Sequence, residues 1–526
     1  MLLKNDYINY ISLIIIFFLI TIFLNPNFNF SIDSLKHWST YNRDDIVFVY
    51  GTLIYNDGIE QQHLDHPSLF TFIFTSFFYK IFYFFGFLDN YSLSQLIKSQ
   101  GEINLNLSKF FFVSKFVILL FSSLSLILLY KILFFLCKNK FISFASCYLF
   151  VFSTGFIASS NRLESGLISL FLILLCLYFF LKFLHSDKKL NIFFFVLGFI
   201  FLFSAMMQKK IIYFCVPFLL VSLVPVLKKN KINYINYFFF NKNLNYKFFL
   251  TIIYLVVITF ITYKTLINNT FFLSRDLDFI FLIINFFGLN LILFFYIQYY
   301  QNRNYENLLT FNIAIGVTYF VYKYFLLFFF NTPISIWSIS FTNFIGHLNM
   351  FTTHEVKGAL SFDTLDIYIF NLIDHLKFVF SKYLFNFSFQ FLLIWFNIFL
   401  FILYFKVLKL IEKIVICSLI FGFFFVQSII LFRYEQDTYF LNSEILLILP
   451  LVYSLRNLRF NKIIIFTFIF FITLSNFNFI QSIRYDNSQS YCNSILGNKD
   501  FPKYYKYWTK NIPLEIINNF CKDKSL

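Results

Sequence analysis

The sequence predicts an all-α, polytopic membrane protein: a bundle of about 13 transmembrane helices, with juxtamembrane helices on the outer face in its first loop. Three observations predict it. Of 526 residues, 59% are hydrophobic and only 13% are charged, where an ordinary soluble globule carries about a quarter. Apolar runs recur near 8–24, 110–136, 141–160, 165–184, 191–207, 211–227, 248–268, 279–299, 308–330, 388–410, 414–432, 441–455 and 463–480, most of them close to the ~20 residues that cross a bilayer as helix. The basic residues, finally, sort into alternate loops. The 89 Phe follow a general excess of Phe, Ile, Asn, Lys and Tyr over Ala, Gly and Pro, which reads as nucleotide bias and carries no chemistry.

The first run, 8–24, has the length of a signal sequence or of a retained helix. No small-residue cleavage site follows it, so a retained helix is expected. A further apolar stretch at 68–88 is long enough to span, and whether it does so decides the sidedness of all that follows. If it crosses, 17 basic residues face outward, including Lys138, Lys140, Lys182, five lysines between Lys228 and Lys247, and Arg456, against five on the inner side: Arg162, Lys209, Lys210, Arg275 and Arg433. If it lies on the outer surface, the counts reverse and lysine and arginine gather inside, as orientation requires. The expected arrangement is therefore an inner amino terminus and an outer carboxyl terminus. The net charge of +16 then belongs to cytoplasmic loops facing the lipid bilayer, and no nucleic-acid partner is implied.

This topology divides the chain into a transmembrane domain, 1–480, and a small outer tail, 481–526. The first outer loop is 26–108, with helix 68–88, and a second outer loop is 331–387. In the latter, Asn371, Asp374, His375, Ser381 and Lys382 recur at helical spacing against Ile367, Phe370, Ile373 and Phe380, the pattern of a helix lying in the interface as scaffold or lid. Cys492 and Cys521 in the tail are candidates for a disulfide in an oxidising compartment. Cys137, Cys147, Cys176, Cys215 and Cys417 sit in or beside spans and read as core residues.

Polar groups converge on the outer face. The segment Asp33 to Pro67 carries Asp33, Asp44, Asp45, Asp57, Glu60 and Asp65. Asp44 and Asp45 open an amphipathic stretch, where one carboxylate can enter a cleft as general base or hold a divalent cation; the plain alternative is a solvated loop charge. Asp65 and His66 precede Pro67, and Asp65 equally suits a helix cap. Arg162 and Glu164 lie between two apolar runs, where charges are costly unless they pair with each other or meet a substrate. Lys209 and Lys210 form a cationic pair on the face that should be poor in cations, suited to a phosphate or to snorkelling; Arg433 is similarly placed. No zinc spacing, phosphate-cradling glycine loop or nucleophile elbow occurs.

In order, these elements are a first span, DD with an aromatic four residues on, YNDG, DHPSL, FSTGFIASSNRLESGLISLFLILL, FSAMMQKKIIYFCVPFLL, and a charged turn into ILLILPLVY. The set resembles the GT-C superfamily of polyprenyl-phosphate-sugar glycosyltransferases, in particular the bacterial relatives of protein O-mannosyltransferases and aminoarabinose transferases. The resemblance covers residues 8–230; the remainder shares only the hydropathy pattern. It implies a GT-C-like bundle in a bacterial-type inner membrane, transferring a sugar from a polyprenyl-phosphate donor to a cell-envelope acceptor, lipid, glycan or protein, on the outer face. The family's acidic pair, often Asp-Glu, matches Asp44 and Asp45. Its acid and basic residue before Pro-Pro-Leu match Asp65, His66, Pro67 and Leu69, with Ser68 in place of the second proline. Its lysine after a small polar residue matches Lys209 or Lys210. Asp44 is the expected base, with Asp45 second, and Asp65 is the next catalytic acid; His66, Arg162, Glu164, Lys209, Lys210 and Arg433 are the expected substrate contacts. Two rival classes stand beside this reading: a lipid-linked-saccharide flippase or other transporter, and an O-antigen polymerase or ligase. Transporters often show Gly/Pro-broken helices in matching halves, and 8 Pro with 13 Gly form no such repeat here.

Overall fold

A computed structural model describes residues 4–24, 43–59, 69–98, 103–185, 191–209, 211–226, 365–431, 440–456 and 462–488. The described residues are helical throughout, without a strand. In chain order the helices are α1 (Lys4–Leu24), α2 (Arg43–Asn56), α3 (Leu69–Phe84), α4 (Leu93–Lys98), α5 (Ile103–Cys137), α6 (Lys140–Val151), α7 (Thr154–Ser160), α8 (Ser165–His185), α9 (Asn191–Gln208), α10 (Ile212–Val221), α11 (Leu365–Phe385), α12 (Phe389–Leu403), α13 (Leu410–Leu431), α14 (Phe440–Leu455), α15 (Lys462–Ser475) and α16 (Phe477–Ser488). By length and composition, four of these can cross a bilayer, Tyr7–Leu24, Leu105–Cys137, Ser165–His185 and Leu410–Leu431, or up to six if two bent pairs each count as one crossing. The expected runs at 248–268, 279–299 and 308–330 lie outside the described residues, as do 331–364 and Cys492 and Cys521.

The core is built around α14. Every residue from Phe440 to Leu455 is buried, and the helix packs on α5, α6, α7, α8, α10, α12 and α13. Its largely apolar surface suits the middle of a bundle, and its polar residues Asn442, Ser443 and Glu444 are buried with the rest.

Two expected runs prove to be broken. The run 141–160 divides at Phe152–Ser153, where α6 and α7 meet at 63°. The chain pays no hydrogen bonds for the bend, because side chains take over the freed backbone groups. The Ser153 hydroxyl accepts from the Phe156 amide at 3.4 Å, the Asn476 side-chain amide donates to the Phe152 carbonyl at 2.7 Å, and the Glu444 carboxylate accepts from the Gly155 amide at 2.9 Å. The run 463–480 divides at that same Asn476, into α15 and α16. The cysteine reading needs one correction as well: Cys137, Cys147, Cys176 and Cys215 are buried, but Cys417 is exposed on α13.

Side-chain contacts sort the elements onto two ends of the bundle. Asn9 at the start of α1 donates to the Tyr130 hydroxyl at 2.8 Å, while Leu24 at its end packs with Ile157 and Ala158 of α7 and Ile480 and Ile483 of α16. On α5, Lys115 reaches Asn161, just past α7. Thus α1 ends and α5 begins at the same end, and α2, α3 and α4 stay there between them. At 35 residues α5 rises about 52 Å, well beyond the ~30 Å of a hydrocarbon core. Its surplus amino-terminal part supports α3, through Tyr79 on Phe110 and Phe82 on Phe116. At the other end α5 stops at Lys138, whose φ of 57° is the left-handed conformation that terminates helices. The Asn139 side chain then accepts from the Phe141 and Ile142 amides to start α6.

A close crossing of α7 and α14 sets a test of this core. A Cβ on Gly155 would lie 2.2 Å from the Leu441 amide nitrogen and 2.6 Å from its Cα, backbone that cannot turn aside. Gly155→Ala should therefore destabilise the protein by about 1–3 kcal/mol through overpacking, read as a lowered thermal unfolding midpoint in detergent. An unchanged midpoint would mean that α7 and α14 do not cross there.

Candidate functional site

The turn from Asn161 to Glu164, between α7 and α8, is buried except for half-buried Arg162. Its backbone groups must find partners inside the protein. Two come from charged side chains far away in sequence. The Leu163 amide donates to Asp45 Oδ1, and Lys115 Nζ donates to the Asn161 carbonyl. Lys115 Nζ also lies 3.0 Å from Asp45 Oδ2, with the carboxylate side chain 2% and the lysine 21% exposed. Both oxygens of Asp45 are thereby engaged. Asp45 opens α2, where a carboxylate also meets the positive end of the helix dipole.

A second pair of charges closes the turn from the α8 side. The Ser159 hydroxyl donates to Glu164 Oε1 at 2.9 Å. A Cβ placed on Gly166 would lie 2.9 Å from Glu164 Oε1 and 2.9 Å from Lys209 Nζ, so carboxylate and ammonium flank one point and are separated by no more than twice that distance. Only glycine leaves that point open. Both Glu164 and Lys209 are buried. The neighbouring Gln208 accepts from the Phe70 and Thr71 amides at 2.9 and 3.3 Å, and donates to Thr71 Oγ1 at 2.5 Å and the Ser165 carbonyl at 3.4 Å. The first amides of α3 are thus capped from 138 residues away.

Asp45, Glu164 and Lys209, expected as site residues, therefore meet on one turn, with Lys115 and Gln208 added. Asp44 lies beside Asp45 in the first turn of α2. Asp65, His66, Lys210 and Arg433 lie outside the described residues. Arg162 and Glu164 do not pair with each other: Glu164 turns to Ser159, and Arg162 stays half-buried at the edge. Asp57 holds the start of α4, accepting from the Ser94 amide at 2.8 Å and its hydroxyl at 2.6 Å. Among the described residues no three His, Cys, Asp or Glu side chains stand close enough to hold a metal ion. Asp45, expected with Asp44 beside a divalent cation, has its oxygens on Lys115 and Leu163.

Two charged side chains with polar partners inside the bundle escaped the sequence reading. Lys115 interrupts an apolar run in FFFVSKFVILLF, and Glu444 lies one turn into another. A lone charge at such depth is the signal that finds both. Glu444 is fully buried; besides the Gly155 amide it accepts from Gln390 Nε2 at 2.8 Å. It meets the first turn of α7, whereas Glu164 meets Ser159 near the end of that helix. No family model, curated protein or solved structure matches this chain.

The Asp45–Lys115 pair is open to a mutant cycle. Lys115→Met leaves a buried carboxylate facing an apolar chain and should cost about 3 kcal/mol, at the lower end for a buried pair because the lysine is partly exposed. Adding Asp45→Asn, which keeps an acceptor for the Leu163 amide, should recover much of that loss in thermal unfolding. Simple additivity of the two substitutions would show that the residues do not interact.

Proposed function

We propose that the protein is a membrane glycosyltransferase of GT-C type, moving a sugar from a polyprenyl-phosphate carrier to a cell-envelope acceptor at the outer face of a bacterial-type inner membrane. The observation that carries this reading is the convergence of Asp45, Glu164 and Lys209, from three separate segments of the resemblance, on the single turn Asn161–Glu164, with Lys115 beside them. Ionic groups gathered in a dry interior are expensive. A reaction that creates charge there gives them a use.

In this reading an acceptor hydroxyl attacks the anomeric carbon of the donor, the bond from that carbon to the phosphate oxygen breaks, and the hydroxyl proton passes to Asp44. Negative charge grows on the departing lipid phosphate, where prearranged cations stabilise it. Lys209, held beside Glu164, is the described candidate; Lys210, Arg162 and Arg433 are further ones. Asp45 is assigned the role of anchor, because Lys115 and the Leu163 amide occupy its oxygens, and this leaves its neighbour Asp44 as the base. Asp65 and His66 remain proposed contacts at the start of α3, whose position Gln208 fixes. No metal is required by this scheme.

The sidedness belongs to the same proposal. Lys115 and Lys138 are 23 positions apart on α5, about 35 Å along the axis, close to the thickness of a hydrocarbon core. Lys131, Lys138 and Lys182 mark one end and the charged turn the other. With the lysine-rich end inside, the turn is outside and α2 to α4 form an outer platform. α3, at 16 residues, rises only about 24 Å, and α11, which meets α12 at 83°, serves as an interfacial helix.

One observation favours the transporter reading: the break between α6 and α7, a bent helix with polar groups at its core, is a device transporters use. A single assay separates the two. Purified protein in detergent, where no compartments exist, should consume a polyprenyl-phosphate sugar and release the lipid phosphate. Asp44→Asn should lower that turnover by about 10²–10⁴-fold and Lys209→Met by about 10²–10³-fold, both with unchanged unfolding midpoints. Full turnover in Asp44→Asn removes that residue from the mechanism; a wild-type protein that binds the donor without consuming it speaks for transport.

A further inference from the structure

Glu444 is fully buried in the bundle and takes no part in the proposed chemistry. A carboxylate in so apolar a helix is costly unless its partners give it a use. Its two oxygens meet two different breaks in the fold. Oε2 accepts from the amide of Gly155, the second residue of α7, at 2.9 Å, and Oε1 accepts from the side-chain amide of Gln390, the second residue of α12, at 2.8 Å. These helices are the second members of the two bent pairs, α6 with α7 at 63° and α11 with α12 at 83°.

The two bends are built alike. Each helix opens on a serine, Ser153 before α7 and Ser388 before α12, whose hydroxyl accepts from the amide three positions on, that of Phe156 at 3.4 Å and that of Phe391 at 3.1 Å. Neutral groups suffice for such single bonds, as the Asn476 amide does at the Phe152 carbonyl. A carboxylate adds a second acceptor oxygen, so one side chain can hold donors from two helices at once. Further along α12, Asn397 donates to the Leu447 carbonyl at 2.9 Å, which ties α12 to α14 at a second level.

From Gly155 the path to the charged turn is short. α7 is seven residues long and buried throughout. At its far end Ser159 donates to Glu164, and Lys115 donates to the Asn161 carbonyl. A short helix enclosed in a close-packed interior passes a displacement of one end to the other.

We infer that Glu444 is a positioning residue: it joins the bend between α11 and α12 to the bend between α6 and α7, and through α7 it sets the turn Asn161–Glu164. The joint itself is independent of the transferase reading; its effect on turnover rests on that reading.

The test exchanges the two partners in the full chain in detergent. Gln390→Leu removes a donor from the carboxylate and should speed hydrogen exchange of the amides of residues 154–161, read by mass spectrometry, by about 10-fold, the loss of one hydrogen bond to a charged group. Exchange in α8 should stay at the wild-type rate. Gln390→Glu, which sets two carboxyl groups against each other, should loosen 154–161 at least as much. Adding Glu444→Gln to Gln390→Glu reverses the roles, the introduced amide accepting from Gly155 and donating to the introduced carboxylate, and should return exchange to the wild-type rate. Turnover of a polyprenyl-phosphate sugar should fall in both single variants and recover in the double one. Wild-type exchange at 154–161 in Gln390→Leu and Gln390→Glu, a rise shared equally by α8, or a rise that persists in the double variant overturns the joint. Exchange that rises and is rescued while turnover never changes upholds the joint and removes the turn from the catalytic site.

Discussion

A backbone that reverses direction in a dry interior has to find partners for its amides and carbonyls within the protein, and the turn from Asn161 to Glu164 finds them in an ion pair. Asp45 takes the Leu163 amide and Lys115 takes the Asn161 carbonyl, and each neutralises the other. Neither residue could be buried alone at tolerable cost. The pair ties α2 and α5 to the junction of α7 and α8, and Gln208 ties α3 and α9 to the same place. The platform of short helices at this end is thereby fixed to the long ones.

Much of this was legible in the chain. Apolar runs announced the helices, and the charges at Asn161–Glu164 and Gln208–Lys210 stood out because an apolar chain has so few. The acidic pair was also visible, but the inward anchoring of Asp45 was not. It depends on where Lys115 stands on a helix that begins some 60 residues later, and Lys115 was not singled out in its apolar run. The breaks at Ser153 and Asn476 were hidden for a related reason. A serine or asparagine in an apolar run is unremarkable until a partner such as Glu444 supplies the bonds that a bend gives up. Gln208 as the cap of α3 is purely tertiary, since nothing local to either residue specifies the other.

The two ends of the bundle use charge in opposite ways. At the turn, carboxylates and ammonium groups are interleaved and buried, an arrangement whose worth depends on each partner staying in place. At the far end, the ammonium groups of Lys131, Lys138 and Lys182 lie over aromatic rings. The fully buried α14 packs against the long helices α5 and α8 that join the two ends.

The central claim, that the Asn161–Glu164 turn is the seat of a lipid phosphate, is met most directly by an electron cryomicroscopy structure of the protein in lipid nanodiscs with an unreactive polyprenyl-phosphate sugar analogue. The account predicts the analogue's phosphate within hydrogen-bonding distance of the Lys209 ammonium, on the nanodisc face opposite Lys131 and Lys182, with the sugar toward α2. A phosphate seated away from the turn, or at the lysine-rich end with the turn closed and dry, would contradict it.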